Sequence, residues 1–310
     1  MKRSAYIRSS EITTGRKTNL PVRGMAALFA AVVALTGCVK DDLYDTPHPN
    51  HGKITLTTDW TQRTAGIAVP ESHTACIGDH SATLSGERNT LDHLFEPGTY
   101  RAYIYSAAER IGVGGTVATV SPASGNRDGA GAFIHNAPGW FFSCTMDMAV
   151  EADRQHEFTA AMCQQVRQLT LVIEPTGGSA GRVARIEGYL SGAAGSLDFA
   201  DGTHGTPSNS ELAFTKITEG ADAGKWTATV RLLGVAGNGQ KLIARIHYEG
   251  DTPAPVSLES DLTADLSGFN SAKTTPLTLG GEIVETPAET GFTATINDWT
   301  PVRGGEVVAD

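Results

Sequence analysis

Trp226-Thr227-Ala228-Thr229-Val230-Arg231-Leu232 and Lys241-Leu242-Ile243-Ala244-Arg245-Ile246-His247-Tyr248 decide the fold class. Apolar and polar residues alternate along each, which places one face on a core and the other in solvent. A Gly-Asn-Gly turn lies between them, so the pair reads as a β-hairpin. The same pattern recurs on both sides. Ile54-Thr55-Leu56-Thr57, Tyr100 to Tyr105, Phe133-Ile134, Trp140-Phe141-Phe142 and His156 to Met162 read as strands in the first half. Leu169 to Ile173, Val183 to Leu190 and Phe292 to Ile296 read as strands in the second.

Helical signal is sparse. Asp261 to Asn270 is the one fair helix candidate, with Leu262, Leu266 and Phe269 on one face and Ser260 or Asp261 as cap. Leu91 to Phe95 fits a single helical turn. Strands at short, regular spacing predict an all-β chain of two tandem β-sandwiches, over residues 53–163 and 164–310. One echo links the ends: Thr55 to Thr61 and Thr293 to Thr300 are each an alternating strand closing on Asp-Trp-Thr. The plain reading of Trp60 and Trp299 is a core aromatic at a strand end.

The N-terminus has a different logic. An unbroken apolar run from Met25 to Thr36 follows Arg16, Lys17 and Arg23, and Leu35-Thr36-Gly37 precedes Cys38. A dozen apolar residues are too few to span a bilayer, which takes about 20. Basic segment, apolar run and small residues before a cut describe a secretory signal over residues 1–37. Leu35, Thr36 and Gly37 ahead of Cys38 resemble a bacterial lipobox, which implies acylation of the Cys38 thiol and a mature chain that starts there. Val39-Lys40-Asp41-Asp42 is similar to the surface-export signal of Bacteroidota lipoproteins, carried by Lys40, Asp41 and Asp42. Residues 38–52, with Pro47, Pro49 and Gly52, read as an extended tether. The expected location is the outer membrane, lipid-anchored and facing the medium.

Composition narrows the partners. Removing residues 1–37 takes six basic residues and one acid from totals of 24 and 34, leaving 18 against 33, a formal charge of −15. Nucleic acid and anionic lipid both select clustered basic residues, so neither is an expected partner. Cys76, Cys144 and Cys163 remain after Cys38, an odd number without CxxC spacing, which does not describe a zinc site or a full disulfide framework. Cys144 and Cys163 fit small buried thiols or one disulfide.

No catalytic constellation emerges. Gly177-Gly178-Ser179-Ala180-Gly181 matches GxSxG, but a nucleophile elbow needs a strand turning directly into a helix, and Glu174-Pro175-Thr176 intervenes; a hairpin loop fits better. Gly112-Val113-Gly114-Gly115 reads as a turn and not a phosphate loop. Asn126-Arg127-Asp128-Gly129 lacks the alternating ligands of a calcium loop. Asp45, His48 and His51 sit in the proline-broken tether, where a solvated linker fits better than a metal site. The chain reads as a non-enzyme without cofactor.

Several stretches together resemble the FimB-like fimbrial anchor and subunit lipoproteins of Bacteroidota. They are the lipobox, Lys40-Asp41-Asp42, Tyr44 to Thr55, Asp59-Trp60, Gln164 to Ile173, and Ile186-Glu187-Gly188-Tyr189-Leu190-Ser191-Gly192. The resemblance implies two transthyretin-like β-sandwiches and a surface lipoprotein that joins, and commonly anchors, pili built by strand exchange. Its partners would be other fimbrial subunits, joined by strand addition, and the outer membrane through the acyl chain. In the family's shaft subunits a protease removes an N-terminal segment to open a groove. Arg63, in Thr61-Gln62-Arg63-Thr64, stands where such a cut would fall, and cutting there would discard the lipid; an uncut anchor role follows. On this reading Trp60 and Trp299 are candidate contacts of a donor-strand groove. The competing class is a surface glycan-binding lipoprotein of a polysaccharide-uptake system, which would present exposed coplanar Trp or Tyr side chains.

Overall fold

A computed structural model describes residues 50–121, 131–178, 180–251, 253–288, 291–296 and 298–302. The lipobox, Cys38, Lys40, Asp41, Asp42 and most of the tether lie outside the described residues, as does the Asn126 to Gly129 turn. The first half contains β1 (Gly52–Asp59), β2 (Ser72–Ile77), β3 (His80–Ser85), β4 (Arg88–Phe95), β5 (Gly98–Ser106), β6 (Ile111–Gly114), β7 (Val117–Val120), β8 (Phe133–Ile134), β9 (Phe142–Val150), β10 (Gln155–Ala161) and β11 (Cys163–Gln164). The second contains β12 (Arg167–Pro175), β13 (Val183–Asp198), β14 (Thr203–Ala213), β15 (Thr215–Lys216), β16 (Trp226–Leu232), β17 (Lys241–Tyr248), β18 (Val256–Asp261), β19 (Leu277–Ala288), β20 (Gly291–Thr295) and β21 (Trp299–Pro301). The architecture is all-β, as the alternation predicts.

Four sheets result. A three-stranded sheet runs β10-β1-β4, and a five-stranded sheet runs β11-β9-β5-β2-β3. A six-stranded sheet runs β15-β16-β12-β19-β20, with β21 also on β19. A seven-stranded sheet runs β18-β17-β13-β14-β8, extended by β7 on β13 and β6 on β7. One core fills the first pair, around Ile54, Leu56, Leu91, Ile104 and Met148. A second fills the other pair, around Leu171, Ile186, Leu242, Leu266 and Phe269. A third cluster, including Phe141, Val166, Leu197 and Phe199, draws on both halves.

Several local expectations change. Trp226 to Leu232 and Lys241 to Tyr248 are strands but not a hairpin pair: β16 joins the six-stranded sheet and β17 the seven-stranded one. Residues 233–240 are long enough to cross, and Trp226, Ala228, Val230 and Leu232 share a core with Leu242, Ala244, Ile246 and Tyr248. Each sheet thereby buries its own apolar row, which a flat hairpin cannot arrange. The GxSxG stretch likewise connects two sheets, β12 to β13 through a 3₁₀ turn at Ala180–Arg182, and is not a hairpin loop; Ser179 lies outside the described residues. Leu91 to Phe95 belongs to strand β4 because pairing with β1 overrides local helix preference. Gly112 to Gly114 belongs to β6, and the turn falls one residue later, at Gly115 with φ 62°.

Asp261 to Asn270 is a succession of turns, not a helix. Leu262, Leu266 and Phe269 are buried, as their spacing predicts, and Asp261 caps the start by accepting from Thr263 N at 2.9 Å. Its backbone bonds are mostly of the i+3 kind, Ser267 N to Ala264 O and Phe269 N to Leu266 O, which tighten the segment into turns, and Arg167 ties down its end. The guanidinium donates to Gly268 O, Phe269 O and Thr275 O at 3.3, 3.0 and 2.6 Å. Cys76, Cys144 and Cys163 are all free thiols.

Candidate strand-joining site

β1 is the central strand of the three-stranded sheet of the first sandwich. Ile54 and Leu56 are fully buried, each contributing about 2 kcal/mol of hydrophobic stabilisation. Trp60, just past the strand, donates from Nε1 to Thr58 Oγ1 at 3.0 Å and sets its ring edge-on against Phe142 at 5.5 Å. Trp299 is its counterpart, buried and donating to Ser260 Oγ at 2.9 Å. Both tryptophans of the Asp-Trp-Thr echo are core aromatics with a satisfied indole N–H.

β1 enters between two partners. It pairs in parallel with β10 from Lys53↔Gln155 to Asp59↔Ala161 and antiparallel with β4, with a register shift between Lys53 and Thr55. Gly52 lets the strand begin so close to β9: a Cβ there would lie 2.4 Å from Val150 Cγ1 and 2.6 Å from the Glu151 carbonyl oxygen. On the face opposite Ile54 and Leu56, the buried Thr55 Oγ1 meets Thr90 Oγ1 at 3.0 Å and accepts from Gln155 Nε2 at 3.1 Å. Arg88 on β4 and Glu157 on β10 form an ion pair. Two polar bridges therefore run from β4 to β10 across β1.

The segment after β1 is also held. Arg63 donates from Nε to Ile67 O at 3.0 Å and from Nη1 to Trp60 O at 2.5 Å. Thr64 N donates to Gln164 Oε1 at 2.8 Å, and Thr64 Oγ1 to Thr274 O at 2.8 Å. Both residues flanking the Arg63–Thr64 bond are fixed, so a protease reaches that bond only through local unfolding. Asp59 accepts from Thr61 N at 2.9 Å, which holds its carboxyl below the usual range.

Beside β1 the sandwich is less completely closed. β10 is the edge of its sheet, and Phe158 on it is half-buried. Cys144 and Met146 on β9, the neighbouring edge region of the other sheet, are half-buried against the same core. Cys163 Sγ donates to Gln62 Oε1 at 3.0 Å. Burial pushes the Cys144 thiol up to about 11 and raises that of Cys163, which makes both poor nucleophiles. The arrangement offers a backbone edge on β10 beside half-buried apolar side chains. Among the described residues no group of three His, Cys, Asp or Glu is placed to hold a metal. No helix among them is long and apolar enough to cross a membrane.

Comparison with known proteins decides the fold. A fimbrial anchor protein, Mfa2 of Porphyromonas gingivalis, superposes with a TM-score of 0.52 at 12% identity, over 79% of this chain and 95% of that one. The chain shares the fold of that protein. A Bacteroides ovatus adhesin candidate superposes with a TM-score of 0.55 at 17% identity, over 85% of this chain and 98% of that one. A second Bacteroides ovatus adhesin candidate gives 0.54 at 12% identity, over 83% and 96%. No protein-family model and no curated protein matches the sequence.

The polar bridges over β1 escape sequence reasoning. Arg88, Thr90, Gln155 and Glu157 lie in two segments 60 residues and more apart, and only the β4-β1-β10 order brings them together. Alternation shows that β1 is a strand but not which strands receive it.

Proposed function

We propose that this protein is a non-enzymatic cell-surface lipoprotein, held by an acylated Cys38, that serves as the membrane anchor of a strand-exchange pilus. Its two sandwiches are built mainly from residues 53–163 and 164–310, with β6, β7 and β8 of the first span completing the seven-stranded sheet of the second. Residues 38–52 carry them away from the outer membrane, and Lys40, Asp41 and Asp42 direct export to the surface. Other fimbrial subunits join by strand addition, with the β10 edge and the half-buried Phe158 and Met146 as the acceptor.

The enclosure of β1 carries this reading. A shaft subunit would have to release the segment ahead of Arg63. Here β1 is paired on both sides, and the Arg63–Thr64 link is tied by four hydrogen bonds. An anchor must keep that segment, because it connects the fold to Cys38. The likeness in fold to Mfa2 agrees with this role.

The glycan-binding alternative needs an exposed aromatic platform. Among the described residues the exposed large apolar side chains are Val69, Val117, Val284 and Val302, which gives that reading no support.

The test is isolation of the protein from cells under conditions that preserve strand-exchanged polymers. The account expects a heat-dissociable ladder containing fimbrial subunits, lost from the cell surface in Cys38→Ala. Monomer alone, retained by polysaccharide, would overturn it.

A further inference from the structure

We infer that the outer face of the six-stranded sheet carries a second docking surface, separate from β1, that takes an extended, lysine- or arginine-bearing segment of a partner protein. A groove of about 480 Å³ lies on this face. Its floor is a gap in the side-chain layer. Val172, Gly280 and Thr300 lie side by side on β12, β19 and β21, and the central residue of that row has no side chain. A Cβ on Gly280 would come 2.9 Å from Val302 Cγ2, so the valine leans into the space the glycine leaves. Val284 and Val302 remain 42% and 47% exposed at the groove. Branched apolar side chains standing in water beside a hollow are a surface that gains by being covered.

Charge selects the occupant. Among the described residues the one cation lining the groove, Lys225, is taken by Glu174 Oε2 at 3.2 Å and Asp222 Oδ1 at 2.9 Å. Glu282 sits directly beside Glu174 in the register of β12 and β19, and Asp298 lines the same groove. No described cation pairs with Glu282 or Asp298. Among the described residues the rim thus holds four carboxylates against one ammonium, and two of the carboxylates have no described cation beside them. A strand-like segment with small apolar residues on one face would fill the hollow, and its cations would meet the free carboxylates. Electrostatic complementarity of this kind sets partner choice and encounter rate.

The probe is acetyl-Lys-Val-Thr-Val-Lys-amide, titrated into the isotope-labelled mature chain and followed by amide shifts. The expected result is saturable movement of Gly280, Val284 and Thr300 that weakens as salt rises. Glu282→Lys and Asp298→Lys should each loosen binding roughly three-fold, the scale of one exposed ion pair. Acetyl-Glu-Val-Thr-Val-Glu-amide should leave these residues still. Both side chains are exposed, and an unchanged thermal midpoint verifies that each variant folds. Shifts confined to other residues, equal responses to both peptides, or variants that bind as the parent does would overturn the proposal.

Discussion

Arg88 on β4 and Glu157 on β10 are joined by an ion pair that passes over β1, the strand between them. Their side chains are 55% and 62% exposed, so solvent screens the pair and it adds little to stability. A double-mutant cycle with Arg88→Ala and Glu157→Ala should give a coupling close to the error of the measurement, and none at high salt. A large coupling that persists at high salt would mean that the clasp, and not the core beneath it, holds β1.

The core beneath is tested at Gly52. A side chain there meets Val150 and the Glu151 carbonyl, and overpacking of this kind costs about 1–3 kcal/mol. Gly52→Val should lower the urea midpoint. It should also speed hydrogen exchange along β1 more than along β5, which has its own partners in the other sheet.

Arg167 is the third structural prediction. It bridges the Gly268, Phe269 and Thr275 carbonyls and stacks over Phe269 at 4.8 Å. Arg167→Met should destabilise by about 2–4 kcal/mol, because buried carbonyls lose charge-assisted donors. Arg167→Lys should recover only part of this, since one ammonium cannot serve three acceptors spread along a planar fork. Thermal melts of the three proteins test both statements.

Lys273 gives the pH dependence. Burial lowers its ammonium to about 8, while Nζ donates to Gln165 Oε1 at 2.5 Å. The unfolded chain, with an ordinary lysine near 10.5, binds more protons than the folded one between these values. Stability therefore rises as pH increases from about 8 to about 10.5, by on the order of 1–3 kcal/mol from this residue. Lys273→Met should flatten that rise in denaturant titrations at pH 8 and pH 10, measured against the parent.

Alternation made β1, β5, β10, β12, β13, β16, β17 and β20 legible, because a half-buried strand must write its two faces into the sequence, but β2, β3, β14, β18 and the central strand β19 were not read from it. Leu262, Leu266 and Phe269 also revealed a buried face correctly. The helix inferred from them failed because apolar spacings of four and three fit a run of tight turns as well as a helix, and Phe269 N bonds Leu266 O, three residues back. The hairpin inferred from β16 and β17 failed for a related reason: a turn signal says that the chain reverses, not that it stays in one sheet. The strand-joining site was legible only in part. Ile54, Leu56 and Trp60 announced a core strand, whereas β10 and β4 as its neighbours depend on pairings between residues far apart in sequence.

The central claim is that β1 stays attached to the lipid. Its most direct test is the intact mass of the protein extracted from the outer-membrane fraction. The account predicts one chain that begins at an acylated Cys38 and runs unbroken through Arg63. A lipid-free chain that begins at Thr64 would contradict it and assign the protein to the pilus shaft.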